Sequence, residues 1–311
     1  MGTLFRIKLY APDAESANRA FRRAFERVEE LDNTLSDYKP QSELSKLSDS
    51  AVMKPVRVSR DLFRVVAASQ ALSAETGGAF DITLGPVIRL WRDARSTGLT
   101  PPPSALREAT TRCGYRKLKL NPSQQTVELE QPGMRLDVGG IAKGYAADEC
   151  LTVLAKAGIR SALVAASGDL AFSDAPPGRQ GWNIGIDLLD KADVPFAKVL
   201  ELANGAVSTS GDTEQHLDVK GQRYSHIIDP ASGLGLTQRI AVTVVAKRGI
   251  DADGTATAVS VLGIGRGRLF IESRPDLAAA MMVRQDGKTR IVETSRFKSL
   301  TRWKEQRLRI P

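Results

Sequence analysis

Asp253 and Thr257 are the side chains whose types and spacing first suggest metal chemistry. They stand four residues apart in ADGTATAVSVLG, a stretch that we predict to be helical. On a helix this spacing places both side-chain oxygens on one face, near the helix N-terminus. A carboxylate and a hydroxyl, completed by backbone carbonyls and phosphate oxygens, are hard ligands that suit Mg²⁺. The alternative is that Asp253 caps the helix while Thr257 hydrogen-bonds back to its own turn, and the pair alone leaves both open.

The segment Leu136–Glu149, LDVGGIAKGYAADE, has features of a phosphate site. Gly139 and Gly140 separate an extended, alternating run from a helical pattern. Glycines let the backbone approach a ligand, and the helix start behind them offers free N–H groups. Lys143 stands in that first turn, where a cation is unfavourable beside the positive end of the helix dipole unless an anion is bound. The spacing matches neither common phosphate-binding fingerprint, so an ordinary turn with a surface lysine is the alternative.

His226 is a candidate proton acceptor. It is one of two histidines, and it lies near the end of a predicted strand, just before the turn at Asp229 and Pro230. An imidazole at this position could accept a proton near neutral pH. The alternative is a half-buried histidine that is hydrogen-bonded to the backbone. The chain has no G-x-S-x-G elbow and no reactive cysteine context, so a hydrolase triad has no support.

Two further polar clusters are candidates for a site. In GGAFDITLGPVIRLW, a small-residue turn is predicted to expose Phe80 and Asp81 before Pro86. In STSGD, the small polar residues Ser208–Asp212 are predicted to stand at the end of an element. Binding and catalytic side chains concentrate at such positions, so both clusters could join the groups above in one site.

The overall charge favours an anionic partner. The chain of 311 residues carries a formal net charge of +8, which suits phosphate esters, nucleic acid or a membrane surface. Aromatic residues make up 5% of the chain and do not alternate with basic ones, so we predict no nucleic acid partner. Much of the basic excess falls in residues 294–311, which we interpret as a solvated C-terminal tail.

The cysteines and the apolar runs exclude several classes of protein. Cys150 lies on the apolar face of the helix predicted after Gly140, so it and Cys113 are predicted to be buried free thiols. There is no Cys/His cluster for zinc or iron–sulfur and no apolar run long enough for a membrane span. Met1 leads straight into a strand without a secretory signal, so the protein is cytosolic unless a leader lies upstream. No linker divides the chain, which we interpret as one domain or two intimate subdomains.

The elements that must position these groups alternate between helices and hairpins. Helices are predicted from Asp13 to Leu35, after Ser59 to Gly77, from a Ser104 cap to Gly114, from Gly140 to Gly158, and over 251–262 continuing at 268–273. Strands are predicted at 4–10, 117–120, 126–130, 134–138, 162–167, 182–188, 196–202, 215–219, 222–228, 238–246, 277–285 and 288–293. Residues 36–50 are predicted to form a loop with about one helical turn. This mixture predicts an α+β fold with largely antiparallel sheets packed by helices.

Several motifs together resemble one family. MGTLFRI, LSDYKPQSELSKL, GGAFDITLGPVIRLW, LDVGGIAKGYAAD, STSGD, HIIDPASG and ADGTATAVSVLG occur in the order found in the ApbE-like FAD:protein FMN transferases. The resemblance runs from Met1 to about Gly263. It implies a T-fold-like α+β architecture. It also implies Mg²⁺-dependent transfer of the FMN half of FAD to a threonine hydroxyl of an acceptor protein, with release of AMP.

The resemblance also assigns site residues. The positions that match flavin-binding residues are Met1, Tyr38, Ala79, Phe80, Asp81, Asp137, Lys143 and Ile227. The positions that match the metal region are Gly140 through its carbonyl, Asp253, Ala256 and Thr257, and His226 matches the catalytic base. Where many members have Gly-Gly-Asp, this chain has Ser167, Gly168 and Asp169. Lys143 stands where some members have an acid, which favours a contact to phosphate.

The family's partners set further expectations. Its acceptors are mostly membrane-bound redox subunits modified on the outer face. We therefore expect a periplasmic or inner-membrane location with a leader upstream of Met1, or a cytoplasmic one if Met1 is the native start. A monomer or a homodimer would fit. Two other functions stay open: an FAD pyrophosphatase that needs no acceptor, and a flavin-binding protein without turnover.

Overall fold

The computed structural model describes residues 2–187, 197–211, 216–285 and 288–300. Its helices are α1 (Ala14–Leu35), α2 (Glu43–Ser50), α3 (Arg60–Glu75), α4 (Gly85–Thr97), α5 (Pro103–Thr111), α6 (Ala142–Lys156), α7 (Gly249–Ser273) and α8 (Ser295–Leu300). Its strands are β1 (Phe5–Tyr10), β2 (Val56–Arg57), β3 (Leu118–Asn121), β4 (Thr126–Leu129), β5 (Ser161–Ala166), β6 (Asp169–Phe172), β7 (Trp182–Asp187), β8 (Ala197–Leu202), β9 (Gly205–Gly211), β10 (His216–Val219), β11 (Gln222–Ser225), β12 (Arg239–Ala246), β13 (Ala278–Gln285) and β14 (Lys288–Glu293).

The largest sheet organises the fold. Within the described residues it has seven strands in the order β1-β5-β6-β9-β12-β13-β14, and every neighbouring pair is antiparallel. The register pairs Asp169 of β6 with Ser208 of β9, and Ser208 in turn with Val244 of β12. Smaller sheets are formed by β10-β11, by β2-β4-β3 and by β7-β8. The prediction of an α+β fold with largely antiparallel sheets is therefore confirmed.

Helices α6 and α7 lie against this sheet and against each other. Both supply buried small and apolar residues to one hydrophobic cluster, which includes Ala147, Cys150, Leu154, Val242, Val244, Ala252, Ala256 and Val259. The N-terminus of α7 is capped from α6, because the Asp148 carboxylate accepts the N–H groups of Gly249 (2.7 Å) and Ile250 (3.0 Å). A side chain of one helix thus satisfies donors that α7 cannot satisfy itself.

Most predicted elements are present at nearly the predicted bounds. The long first helix, the helix capped by Ser59, and the helix after Gly140 are confirmed, as are the hairpins β3-β4, β10-β11 and β13-β14. Gly158 has a φ of 82°, which is the left-handed conformation expected behind a helix C-terminus. The predicted break in the last long helix occurs at Gly263, with a φ of 70°.

Four local predictions are wrong. Residues 43–50 form an eight-residue helix, α2, where a loop with about one helical turn was predicted, because Ser42 caps it by accepting the N–H of Ser45. Helix α5 begins at Pro103, so Ser104 lies inside its first turn and does not cap it. Residues 134–138 form no strand with any described part of the chain, although Arg135 makes an isolated bridge to Leu84. Residues 226–228 lie outside β11, which ends at Ser225.

Two central strands, β6 and β9, were not predicted. β9 (GAVSTSG) carries small polar residues where a strand pattern would show alternating apolar ones, and β6 (DLAF) has only four residues, too few to show an alternation. Ser208, expected at an element end, therefore lies in the middle of β9, while Asp212 is outside the described residues.

The predictions for the cysteines are confirmed. Cys113 and Cys150 are free and buried, and burial raises the pKa of each thiol to about 12. Such thiols stay protonated and unreactive at neutral pH. Among the described helices, none is long and apolar enough to cross a membrane.

Candidate functional site

The centre of the candidate site is the ammonium group of Lys143. Its Nζ lies 2.6 Å from Asp169 Oδ2 and 3.2 Å from Asp253 Oδ1. These three residues stand in the first turn of α6, at the start of β6 and in the second turn of α7. The sheet register and the crossing of α6 with α7 therefore create a site that no single segment contains.

Asp253 is an almost fully buried carboxylate with 3% of its surface exposed. Its Oδ2 accepts the N–H of Gly144 at 3.0 Å, so the start of α6 contributes backbone as well as the lysine. Burial raises the pKa of Asp253 to about 6, the charge of Asp169 adds to this, and Lys143 opposes it. Because Arg248 is the N-cap of α7, the alternative in which Asp253 caps its own helix is wrong.

Lys143 remains a cation in this setting. Burial alone would lower the pKa of Lys143, but the carboxylates of Asp253 and Asp169 outweigh it and raise that pKa above its ordinary value. Lys143 is therefore half-buried between two buried carboxylates, and the alternative of an ordinary surface lysine is wrong. A half-buried ammonium that keeps its charge is suited to a phosphate oxygen that reaches the helix start.

Asp169 was not predicted to be a site residue. The hydroxyl of Ser208 donates to Asp169 Oδ1, which leaves Oδ2 directed at Lys143. Both side chains are buried between β5 and β12. In the sequence, Asp169 could have been noticed as an acid that directly follows the predicted apolar strand ending at Ser167. Only the pairing of β6 with β9 shows that Ser208 fixes its carboxylate.

Oxygen ligands suitable for Mg²⁺ come together beside Asp253. A β-carbon added to Gly140 would lie 3.0 Å from Thr257 Oγ1 and 3.4 Å from the Phe80 ring, so the turn reaches the hydroxyl closely only as glycine. In the described part of the chain, no group of three or more His, Cys, Asp or Glu side chains could hold a metal by itself. One carboxylate, a hydroxyl and a carbonyl still fit Mg²⁺, which usually completes its shell with water and substrate phosphates.

Ala256 contributes no side chain to this ligand set. It is fully buried in the apolar cluster between α7 and the sheet. Its carbonyl accepts the hydroxyl of Ser260 at 2.9 Å. Any contact from Ala256 to a metal would therefore have to come from its main chain.

The turn at 79–81 differs from its prediction. Phe80 is 4% exposed and packs in the core, so its predicted exposure is wrong, and Asp81 is half-buried. Asp81 Oδ1 accepts the N–H and the hydroxyl of Thr83 at 2.8 and 2.6 Å, and Oδ2 accepts the N–H of Tyr115 at 2.9 Å. Burial raises the pKa of Asp81, while these hydrogen bonds oppose it. The Asp81 carboxylate thus fixes the loop, and half-buried Ala79 leaves mainly backbone to meet a ligand.

Asp137 and Tyr38 are brought together by Arg92. Asp137 Oδ1 accepts the N–H of Gly139 at 2.8 Å, and Oδ2 accepts Arg92 Nη2 at 2.7 Å. The guanidinium carbon lies 4.0 Å from the centre of the Tyr38 ring, and Arg92 Nη1 pairs with Asp37. Burial raises the pKa of Asp137 to about 6, Asp37 adds to this, and Arg92 opposes it.

His226 is half-buried in the short connection after β11. The backbone on its C-terminal side is fixed, because the Ile227 N–H donates to Ser225 Oγ at 3.1 Å and the Ile227 carbonyl accepts the Leu236 N–H at 2.9 Å. Asp229 caps its own turn by accepting the Ala231 N–H at 3.0 Å. The Ile227 side chain is buried, and Met1 lies outside the described residues.

Solved structures with this fold include a flavin transferase. The flavin transferase ApbE from Vibrio cholerae superposes with a TM-score of 0.87 at 29% identity, covering 96% of each chain. The apbe protein from Thermotoga maritima has a TM-score of 0.85 at 28% identity, covering 97% of each chain. The fold and the site thus place the chain in the structural class of the flavin transferases.

Sequence comparison gives the family. The FAD:protein FMN transferase of Treponema pallidum is 34% identical over 295 residues, which cover 90% of this chain and 81% of that protein. The profile of the ApbE family matches residues 1–282. This chain belongs to the ApbE family, and the resemblance drawn from its motifs is confirmed.

Proposed function

We propose that this protein is a Mg²⁺-dependent FAD:protein FMN transferase. In this reaction an acceptor threonine oxygen forms a bond to the FMN phosphorus while the pyrophosphate P–O bond breaks. AMP leaves with the electron pair of that bond, and the hydroxyl proton is transferred to a base. The observation that carries the proposal is the ion pair of Lys143 with the buried Asp253 beside Thr257 and Gly140, in a chain whose relatives bear this name.

Some residues of the site would stabilise negative charge on the phosphates, and another would accept the proton. Lys143 offers a fixed positive charge to the pyrophosphate, and Asp169 with Ser208 holds that charge in place. Asp253, Thr257 and the Gly140 carbonyl would hold Mg²⁺, which when bound would neutralise the pyrophosphate and the departing AMP. His226 accepts the proton of the acceptor hydroxyl, which neither cation can do.

Incubation with FAD, Mg²⁺ and a threonine-bearing acceptor tests the proposal. AMP release together with a flavin-labelled acceptor, both absent when the acceptor is omitted, is the result expected. AMP release without acceptor would instead mean an FAD pyrophosphatase. FAD that is bound but left intact would mean a flavin-binding protein. Chelation of Mg²⁺ should stop release without unfolding the protein, which circular dichroism checks.

We further propose that the acceptor is a membrane redox subunit modified outside the cytoplasm. Only the family's usual acceptors support this. Fractionating cells that produce the native gene product tests it, since a protein confined to the cytoplasm would contradict it.

A further inference from the structure

Arg92 connects two expected flavin-binding residues that are far apart in the chain. One guanidinium nitrogen contacts Asp137 at 2.7 Å and another contacts Asp37, while the face of the group covers the Tyr38 ring at 4.0 Å. Neither the motifs nor the family resemblance assigned a role to Arg92. Its three contacts bring the loop after α1, the helix α4 and the segment before α6 to one point.

The backbone that carries Arg92 is firmly fixed. Trp91 is 1% exposed, and its Nε1 donates to the Gly233 carbonyl at 2.8 Å. At the start of α4, a β-carbon on Gly85 would lie 2.7 Å from the Arg135 carbonyl, so the helix touches the segment that leads to Asp137. Arg92 therefore projects from a helix whose position is fixed. It points toward the segment from Arg135 to Asp137, which the start of the same helix contacts.

The chemistry of the contact requires arginine. The planar guanidinium can bond two carboxylates along its edges while an aromatic ring covers its face, whereas a lysine ammonium cannot do both. The Asp37 and Asp137 carboxylates are largely buried, with exposures of 18% and 6%, so removing the cation between them would leave two like charges close together. Arg92 thus determines where both carboxylates stand.

The Tyr38 ring is held and yet accessible. The residue is 67% exposed although one face of its ring lies on Arg92. An aromatic ring fixed on one side and open on the other is a prepared surface for a flat ring of a ligand. On the far side of Arg92, Asp137 fixes the N–H of Gly139 next to the Gly140 turn. One side chain therefore aligns the exposed ring with the turn beside the phosphate end of the site.

We propose that Arg92 is a positioning residue for FAD. It holds the Tyr38 ring so that a flat ring of FAD stacks on it, and it holds Asp137 so that the turn at Gly140 meets the pyrophosphate. Arg92 itself contacts neither the bond that forms nor the bond that breaks. This inference rests on the proposed function for the identity of the ligand, while its test uses binding as well as turnover.

Arg92→Lys separates positioning from catalysis. It keeps the positive charge but loses the two-edged contact and the stacked face, so FAD should bind roughly tenfold more weakly. The KM for FAD should rise equally, while kcat at saturating FAD stays within about twofold. FAD affinity is measured by flavin fluorescence quenching, and turnover by AMP release. Arg112→Lys is the matched control, because Arg112, at the end of α5, pairs with the exposed Glu108.

A double-mutant cycle tests whether Arg92 acts through Tyr38. In a Tyr38→Ala background, Arg92→Lys should change the affinity for the flat ring by less than about twofold. AMP and FMN serve as separate probes: weaker AMP binding means that adenine stacks on Tyr38, and weaker FMN binding means that the isoalloxazine does. Unchanged affinity for FAD, AMP and FMN in Arg92→Lys would overturn the proposal, as would full additivity with Tyr38→Ala.

Two further outcomes keep the proposal distinct from the proposed function. FAD that binds with the expected loss in Arg92→Lys, but releases no AMP in any variant, would overturn the transferase and support the positioning role. Failure of the unsubstituted protein to bind FAD would overturn both. If Arg92→Lys does not fold, Asp37→Asn frees one edge of the same guanidinium, and unchanged FAD affinity in that variant would also overturn the proposal.

Discussion

Gly144 and Gly249 hold α6 and α7 together through direct backbone contact. A β-carbon on Gly144 would lie 2.0 Å from the Gly249 carbonyl oxygen, and one on Gly249 would lie 2.4 Å from the Gly144 carbonyl oxygen. No side chain fits at either position. The same crossing sets Lys143 and the Gly144 N–H against Asp253, so the geometry of the site depends on two residues that have no side chain.

Gly144→Ala should separate the two helices. We expect a loss of about 1–3 kcal/mol in the free energy of unfolding, because an added methyl group in a packed interior forces the backbone to shift. AMP release should fall as well, since Lys143 and Asp253 stand on opposite sides of the crossing. Gly265→Ala is the control, because a β-carbon there meets nothing within 4 Å. Urea unfolding of both variants measures the difference, and equal stability would contradict the packing argument.

The pH dependence of stability should report the buried Asp148. Burial raises its pKa in the folded protein to about 6, above the 3.8 of the unfolded chain. The folded state therefore binds more protons between these values, so this contribution to stability is fully present below pH 3.8 and is lost as the pH rises through about 6. Asp148→Asn should make the fall between these pH values shallower. Because Asp137 and Asp253 keep similarly raised pKa values, some slope should remain.

That experiment is done in Mg²⁺-free buffer by urea unfolding at several pH values. Asp251→Asn serves as the control, because Asp251 forms an ion pair with Arg248 nearer the surface. An unchanged slope in Asp148→Asn would mean that the capping carboxylate does not titrate in this range.

Asp253→Ala should abolish turnover while leaving flavin affinity within about tenfold. Asp253 supplies the main negative charge to the proposed metal ligands, whereas the flat rings of FAD are expected to bind elsewhere. Binding of Mn²⁺, followed by electron paramagnetic resonance, should be lost together with AMP release. Asp251→Ala, two residues earlier on α7, should retain both. Normal AMP release by Asp253→Ala at limiting Mg²⁺ would remove Asp253 from the metal site.

Asp169→Asn should lower kcat/KM for FAD by roughly 10–100-fold, because a hydrogen bond to a charged group is worth about 1.5–3 kcal/mol. Without the charge of Asp169, Lys143 keeps Asp253 as its remaining carboxylate partner, and it would then compete with the metal. Half-saturation should therefore require more Mg²⁺. Ser208→Ala removes one hydrogen bond to Asp169 and should act in the same direction but less strongly. A Mg²⁺ requirement that does not change in Asp169→Asn would exclude this competition.

His226→Ala should slow transfer by roughly 10²–10⁴-fold, because a threonine hydroxyl is a poor nucleophile without a positioned base. FAD affinity should change by less than about tenfold, and the pH–rate profile should lose the limb that reports ionisation of the base. His216→Ala provides the matched control on β10. Weak FAD binding combined with normal transfer at saturating FAD would make His226 a binding residue, and Asp229 would be tested next.

The local chemistry of this protein is readable from its sequence. Apolar periodicity and glycine or serine boundaries predict the long helices and most hairpins, since those signals act within a few turns of chain. The four-residue spacing of Asp253 and Thr257 is sufficient to place both side chains on one helix face. Likewise, the Gly-Gly turn at Gly140 and the lysine that follows it identify a helix start able to meet phosphate.

Tertiary structure alone decided what these residues meet. Strand β9 was not predicted because its small polar side chains lack the apolar alternation that marks a half-buried strand, and β6 was not predicted because it has only four residues. The polar Asp169 and Ser208 are satisfied by each other across the pairing of β6 with β9. Asp169 and Arg92 have ordinary sequence surroundings, and each gains its role from partners many residues away: Lys143 for one, and Tyr38 with Asp137 for the other. Buried ion pairs depend on distance and desolvation, and both are properties of the packed fold that no local spacing encodes.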